Sequence, residues 1–179
     1  MKTHGPWKIV SSEEVYRDHW LTLRKDEVIR PDGLPGTYSV ATLMSGVCVL
    51  ALDDDNQVYL TEEFHYGVGR TTLEAVSGGV EVGEDAAATA RRELAEELGI
   101  VAEEWRDMGA VDPLTGSMVS PARLYLAQKL QFGATDHEGT EQIRCVQMSL
   151  ADAVQMVMSS EITHGPSCVL ILKTAQTEL

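Results

Sequence analysis

Between Asp85 and Leu98 the sequence stops alternating and takes up a helical period. The segment is rich in Ala, Arg, Glu and Leu, and Gly99 follows it as a terminator. Ala86, Ala87, Ala90, Leu94 and Leu98 fall on one face, which is what an amphipathic helix needs to bury a stripe. On both sides the pattern is that of strands. Two are expected within Trp7 to Arg30, followed by a turn at Pro31 to Gly36. Tyr38 to Leu43, Val47 to Leu52 and Val58 to Tyr66 then read as successive antiparallel strands. Beyond the helix, Trp105 to Val111, Arg123 to Leu130 and Gln142 to Met148 read as strands again. Ser149 caps a helix running through Met158, and Pro166 opens a last one. One helix set between blocks of strands, with helices at the end, predicts an α+β chain: an α/β/α sandwich with a central mixed sheet.

Charge excludes some partners. The chain has 179 residues, 28 of them Asp or Glu against 14 Lys or Arg, for a net charge of −14. A surface of that sign repels nucleic-acid phosphates and anionic lipid, so neither nucleic acid nor membrane is an expected partner. No apolar run is long enough to span a bilayer, and Met1 to Pro6 lacks the apolar stretch of a signal peptide. Cys48, Cys145 and Cys168 are widely spaced in apolar stretches, which suits buried reduced thiols in a cytoplasmic protein.

The helix also concentrates carboxylates. Glu93 and Glu97 are four residues apart and share a face, with Glu96 beside them. Like charges at this spacing cost a helix a few tenths of a kcal/mol per pair, so something must compensate. Water with Arg91 and Arg92 would do so on a solvated face. A hard divalent cation such as Mg²⁺ or Mn²⁺ would do so in a site. The glycine-rich lead-in, Ser77-Gly78-Gly79 and Gly83, favours the second reading, because it bends the chain where backbone groups can meet a ligand.

The stretch from Gly78 to Ile100 resembles the Nudix box, G-x5-E-x7-R-E-U-x-E-E-x-G-U, at every specified position: Gly78, Glu84, Arg92, Glu93, Leu94, Glu96, Glu97, Gly99 and Ile100. At average composition such a match arises by chance in roughly one chain in ten million. The resemblance implies hydrolysis of a nucleoside diphosphate linked to another group, with a divalent cation, Mg²⁺ or Mn²⁺, as cofactor. It implies Glu93 and Glu97 as direct metal ligands, Glu96 as a further or water-mediated one, and the Ser77 carbonyl as a backbone contact. Glu84 and Arg92 resemble the pair that braces the motif, and Arg92 and Glu96 count among the catalytic groups. The base would come from the acidic loop Thr135 to Glu141, as Glu138 or Glu141, the latter also close to the metal.

Beyond the box, the chain resembles the ADP-ribose and nucleoside diphosphate sugar pyrophosphatases. The resembling residues are Glu62 to Tyr66, Leu73 to Gly78, Pro113 to Gly116, Arg123 to Ala127 and Glu161 to Gly165. Relatives often carry Arg where His65 stands and Pro where Val76 stands. The implied substrate is a small nucleotide sugar, ADP-ribose first, split to AMP and ribose 5-phosphate. Another nucleotide sugar such as GDP-mannose is the alternative, and a non-catalytic ADP-ribose-binding sensor a further one. His65, Arg70, Glu74 and Gly78 are the implied substrate contacts, with Trp20 for the base. Residues 1–45 would be an N-terminal antiparallel strand extension that forms a homodimer, and 46–179 the Nudix domain.

Of the aromatic residues that could stack on a base, Trp7, Trp20, Phe64 and Tyr66 read first as core. His4, His19, His137 and His164 lie in polar contexts and read as surface residues.

Overall fold

The computed structural model describes residues 1–137, 139 and 142–178, so Glu138, Thr140, Glu141 and Leu179 lie outside it. The described residues form two compact units.

The first unit comprises Met1–Met44 and Asp112–Ser120. Strands β1 (Lys2–His4), β2 (Trp7–Arg17), β3 (Leu21–Ile29) and β4 (Pro35–Leu43) form an antiparallel meander, and β10 (Met118–Val119) adds to β4 in parallel. Asp26 is buried here and paired with Arg24 at 3.0 Å. Trp7 stands edge-on to Tyr38, their ring centroids 5.5 Å apart. These residues border a groove of about 650 Å³ whose far wall is Thr115 to Val119.

The second unit comprises Ser45–Val111 and Pro121–Leu179. Its sheet joins β5 (Gly46–Leu52), β6 (Gln57–His65), β7 (Arg70–Glu74), β8 (Val76–Gly79), β9 (Ile100–Val111), β11 (Ala122–Phe132) and β12 (Arg144–Ser149). The main order is β12-β6-β5-β11-β9; β5 and β11 run parallel and the other pairs antiparallel, so the sheet is mixed. Three helices cover it: α1 (Ala86–Leu98), α2 (Leu150–Met158) and α3 (Gly165–Glu178).

Strand period sorts the core into two layers. Cys48, Leu50 and Leu52 of β5 and Leu124 and Leu126 of β11 meet Leu150, Ala153, Leu170 and Ile171 of α2 and α3. Val47, Val49, Ala51, Tyr125 and Ala127, the alternate residues of the same strands, meet Ala90, Leu94 and Leu98 of α1. This is the α/β/α sandwich expected from the sequence.

Two sequence expectations about the strands need correcting. Tyr38–Leu43 and Val47–Leu52 do not pair, since β4 belongs to the first sheet and β5 to the second. Their burial explains this: β5 is buried on both faces from Val47 to Leu52, the signature of a central strand, whereas β4 is half exposed. β5 and β6 then pair only at Ala51–Tyr59 and Leu52–Val58, because β8 takes the remainder of that edge of β5. The second correction concerns Ser77 to Gly79, which form β8 and do not bend the chain; the bend falls at Gly83, with φ of 90°.

The thiols are free, but only Cys48 is fully buried. Cys168 is half-buried, and Cys145 is exposed on β12, the terminal strand of the main order.

Candidate active site

Helix α1 is closed at both ends by its own sequence. Asp85 caps the start, its carboxylate accepting from the amides of Ala87 and Ala88 at 3.1 and 3.3 Å. Gly99, at φ 64°, ends it and donates its amide to the Ala95 and Leu94 carbonyls. Leu94 and Leu98 anchor the inner face, which fixes the opposite, carboxylate-bearing face relative to β8.

Three carboxylates converge on one guanidinium. Arg92 Nη1 donates to Glu96 Oε2 at 2.9 Å, Nη2 lies 3.0 Å from Glu93 Oε1, and Nε lies 3.3 Å from Glu84 Oε1. Arg92 thereby bridges the helix to the Gly83–Glu84 turn and neutralises part of the repulsion that the spacing creates. It also holds the Glu84 carboxyl below the usual carboxylate range, assisted by Thr89. Glu97, one residue beyond Glu96, is buried at 8% exposure.

Gly78 lies against this face. A Cβ there would come within 2.1 Å of Glu93 Oε1 and Cδ, so the carboxylate of Glu93 occupies the space that any side chain would need. Val47–Gly78 and Cys48–Ser77 are register pairs of β5 and β8. The sheet therefore delivers Ser77 and Gly78 directly to the carboxylate helix.

The segment after β11 is tied to the end of the same helix. Gly133 donates its amide to the Gly99 carbonyl at 2.6 Å, Asp136 its amide to Glu96 at 2.9 Å, and His137 Nε2 bonds the Glu97 carbonyl at 2.8 Å. These bonds satisfy carbonyls that a helix end leaves unpaired. His137 is thus half-buried and engaged, in contrast to its surface reading. Both sequence candidates for the base, Glu138 and Glu141, lie outside the described residues.

A second set of residues forms a cleft of about 460 Å³ lined by His65, Arg70, Glu74, Ser77, Thr163 and His164, among others. Glu74, 8% exposed, is its hub. Thr72 Oγ1 donates to Glu74 Oε1 at 2.6 Å, His65 Nε2 lies 3.3 Å from the same oxygen, and His164 Nδ1 lies 3.1 Å from Oε2. Arg70 Nη2 donates to Thr163 Oγ1 at 2.7 Å.

The cleft brings His65, Arg70 and Glu74 together. It adds His164 and Thr163, which sequence reasoning missed. His164 is half-buried and carboxylate-facing, not a surface residue. Burial holds its imidazole below the ordinary range against the pull of Glu74. No local pattern marked it, because its partner is 90 residues away in the sequence.

The aromatic readings divide. Trp7 is half-buried, but Phe64 and Tyr66 are exposed, Tyr66 at 95%, so neither is core. Both belong to the β6–β7 hairpin, whose residue Val68 lines the cleft. Trp20 is 64% exposed in the first unit, edge-on to His19.

The NUDIX domain family profile matches residues 42–156. The chain belongs to the Nudix family. By that membership it is a Nudix pyrophosphohydrolase, and residues 7–41 match the nucleoside diphosphate sugar hydrolase N-terminal domain. An ADP-ribose pyrophosphatase of Mycobacterium tuberculosis is 29% identical over 89% of this chain and 78% of its own. The Bacillus subtilis ADP-ribose pyrophosphatase is 26% identical over 92% and 90%. A solved structure described as an ADP compounds hydrolase superposes with a TM-score of 0.83 at 19% identity, covering 98% of this chain and 96% of that one. That likeness establishes the fold.

The donors on this face suit a hard cation. Carboxylate and carbonyl oxygens are the ligands Mg²⁺ and Mn²⁺ prefer, and the Gly78–Glu93 contact sets Glu93 directly beside the backbone of β8. Among the described residues no three His, Cys, Asp or Glu side chains converge on one metal position; Glu84, Glu93 and Glu96 share Arg92 instead.

Proposed function

We propose that this Nudix enzyme hydrolyses the pyrophosphate bond of a nucleoside diphosphate sugar, ADP-ribose foremost, to AMP and ribose 5-phosphate. The observation that carries the reading is the complete carboxylate helix with Glu93 seated against Gly78, joined through β8 to a cleft bearing Arg70 and two histidines. The ADP-ribose pyrophosphatases among the relatives favour this substrate over GDP-mannose. An intact box argues against a sensor that binds without cleaving.

Glu93 and Glu97, with Glu96 and the Ser77 carbonyl, would hold a divalent cation, Mg²⁺ or Mn²⁺. When bound, such an ion neutralises pyrophosphate charge and acidifies water. Arg92 and Glu84 keep the carboxylates in place. A carboxylate of the loop after His137, Glu141 or Glu138, would take the proton as water adds to phosphorus and the bridging P–O bond breaks. His65 and Arg70 would meet the substrate's phosphates, with Glu74 orienting the imidazole. Trp20 would serve the base, and the N-terminal strands would pair two chains into a homodimer.

The test is chromatographic product analysis with ADP-ribose, GDP-mannose, a dinucleoside polyphosphate and coenzyme A, each with Mg²⁺ and with chelator. AMP and ribose 5-phosphate, formed only with the cation and lost in Glu97→Gln, is the expected result. Undiminished turnover in that variant would overturn the site assignment, and binding without product would favour the sensor.

A further inference from the structure

Between β7 and β8 the chain changes neighbours. Glu74 still pairs with Thr61 of β6, while Val76 already pairs with Val49 of β5. Ala75 sits at the exchange, fully buried, and its amide bonds a side chain: Ser167 Oγ, at 2.9 Å. Ser167 is itself 0% exposed, in the first turn of α3. Its hydroxyl also lies 2.8 Å from His164 Nδ1 and 3.8 Å from Cys48 Sγ. His164 in turn reaches Glu74 Oε2 and accepts the Cys168 amide on its carbonyl at 2.9 Å, the first bond of the helix. Two side chains three residues apart thus hold adjacent residues of the junction, one by its carboxylate and one by its amide.

A buried serine in the first turn of a helix packed on a sheet, and a half-buried histidine just before that helix, are costly choices where apolar residues would suffice. The cost is recovered by satisfying one buried amide and one nearly buried carboxylate. We infer that His164 and Ser167 are positioning residues, which set the β7–β8 junction and so the two halves of the site on either side of it. Through Glu74, His164 fixes the cleft that holds His65. Through Ala75, Ser167 fixes the approach of Ser77 and Gly78 to Glu93. This inference rests on the function proposed above for its kinetic arm and is independent of it for its structural one.

The two residues act on opposite sides of Ala75, so their kinetic effects separate. With ADP-ribose and Mg²⁺, His164→Leu raises KM at least fivefold with a smaller change in kcat. His164→Asn, which keeps a donor near the Nδ1 position, restores most of the loss. Ser167→Ala lowers kcat at least fivefold with a smaller change in KM. Losses of kcat and KM that run in parallel in both variants, or an Asn variant as impaired as Leu, would overturn the assignment. If the wild-type protein turns over no nucleotide sugar, amide hydrogen exchange of the metal-free protein decides. Exchange at Ala75 at least tenfold faster in Ser167→Ala, with core strand amides unchanged, supports the inference, and equal exchange at Ala75 refutes it.

Discussion

The carboxylate of Glu93 fills the place where a side chain at residue 78 would stand. The glycine is required by this contact and not by its backbone angle, since Gly78 is not among the positive-φ glycines. Gly78→Ala therefore has to displace Glu93 by more than an ångström while leaving β8 paired. A displacement of that size at a reacting centre costs on the order of 10²-fold in rate. Steady-state kinetics should register this loss with an unchanged circular dichroism spectrum. An alanine variant of normal kcat would mean that the position of Glu93 is immaterial.

At the other end of the helix Gly99 combines a left-handed backbone with close approach: φ is 64°, and a Cβ would lie 2.5 Å from the Gly133 carbonyl oxygen. Gly99→Ala is expected to cost about 1–3 kcal/mol in stability. It should also impair turnover, because the neighbour it pushes away is the root of the segment leading to Glu138 and Glu141. Urea denaturation followed beside kcat tests both effects, and a stability change without an activity change would separate helix closure from catalysis.

Acid should weaken the fold through His164. Burial depresses its pKa below the 6.5 of the free side chain, so the unfolded chain binds the proton more readily than the folded one. The contribution of the neutral imidazole is whole above about pH 6.5 and is lost as pH falls through the folded-state value. Glu84, depressed by Arg92, adds a loss in the same direction at lower pH. Urea midpoints between about pH 7.5 and pH 5 should fall in the wild type and fall less in His164→Asn, which does not titrate. Identical slopes would remove His164 from the acid response.

Thiol labelling should rank the cysteines. Burial pushes Cys48 up to about 12 and removes it from solvent, whereas Cys145 is exposed on β12. Alkylation of the native protein at mildly alkaline pH, read by peptide mass spectrometry, should modify Cys145 first and Cys168 more slowly. Cys48 should react only after unfolding. Early labelling of Cys48 would contradict the packing of β5 against α2 and α3.

Much of this site was legible because its parts are local. Glu93, Glu96, Glu97 and Arg92 sit on one helix whose period, cap and terminator are written within 15 residues of Asp85 through Gly99. The sandwich was also legible, since one helix set between blocks of strands, with helices at the end, has few other ways to bury both faces of a sheet. What escaped lies in pairings across long separations. Ser167 on Ala75 and His164 on Glu74 join residues about 90 positions apart, and neither leaves a periodic trace. The exposure of Phe64 and Tyr66 escaped for the opposite reason. Aromatic residues in an alternating run look like core until the structure shows which end of the strand is exposed, here the end at the β6–β7 turn.

The bonds from Gly133, Asp136 and His137 to the end of α1 give the loop that follows a fixed origin. Where the chain leaves the carboxylate helix is decided before Glu138 is reached. The length and composition of what comes next can therefore be exchanged without moving its starting point. An added or deleted residue in that segment would shift the reach of a base at Glu138 or Glu141 while the helix end, as a socket, kept its root in place.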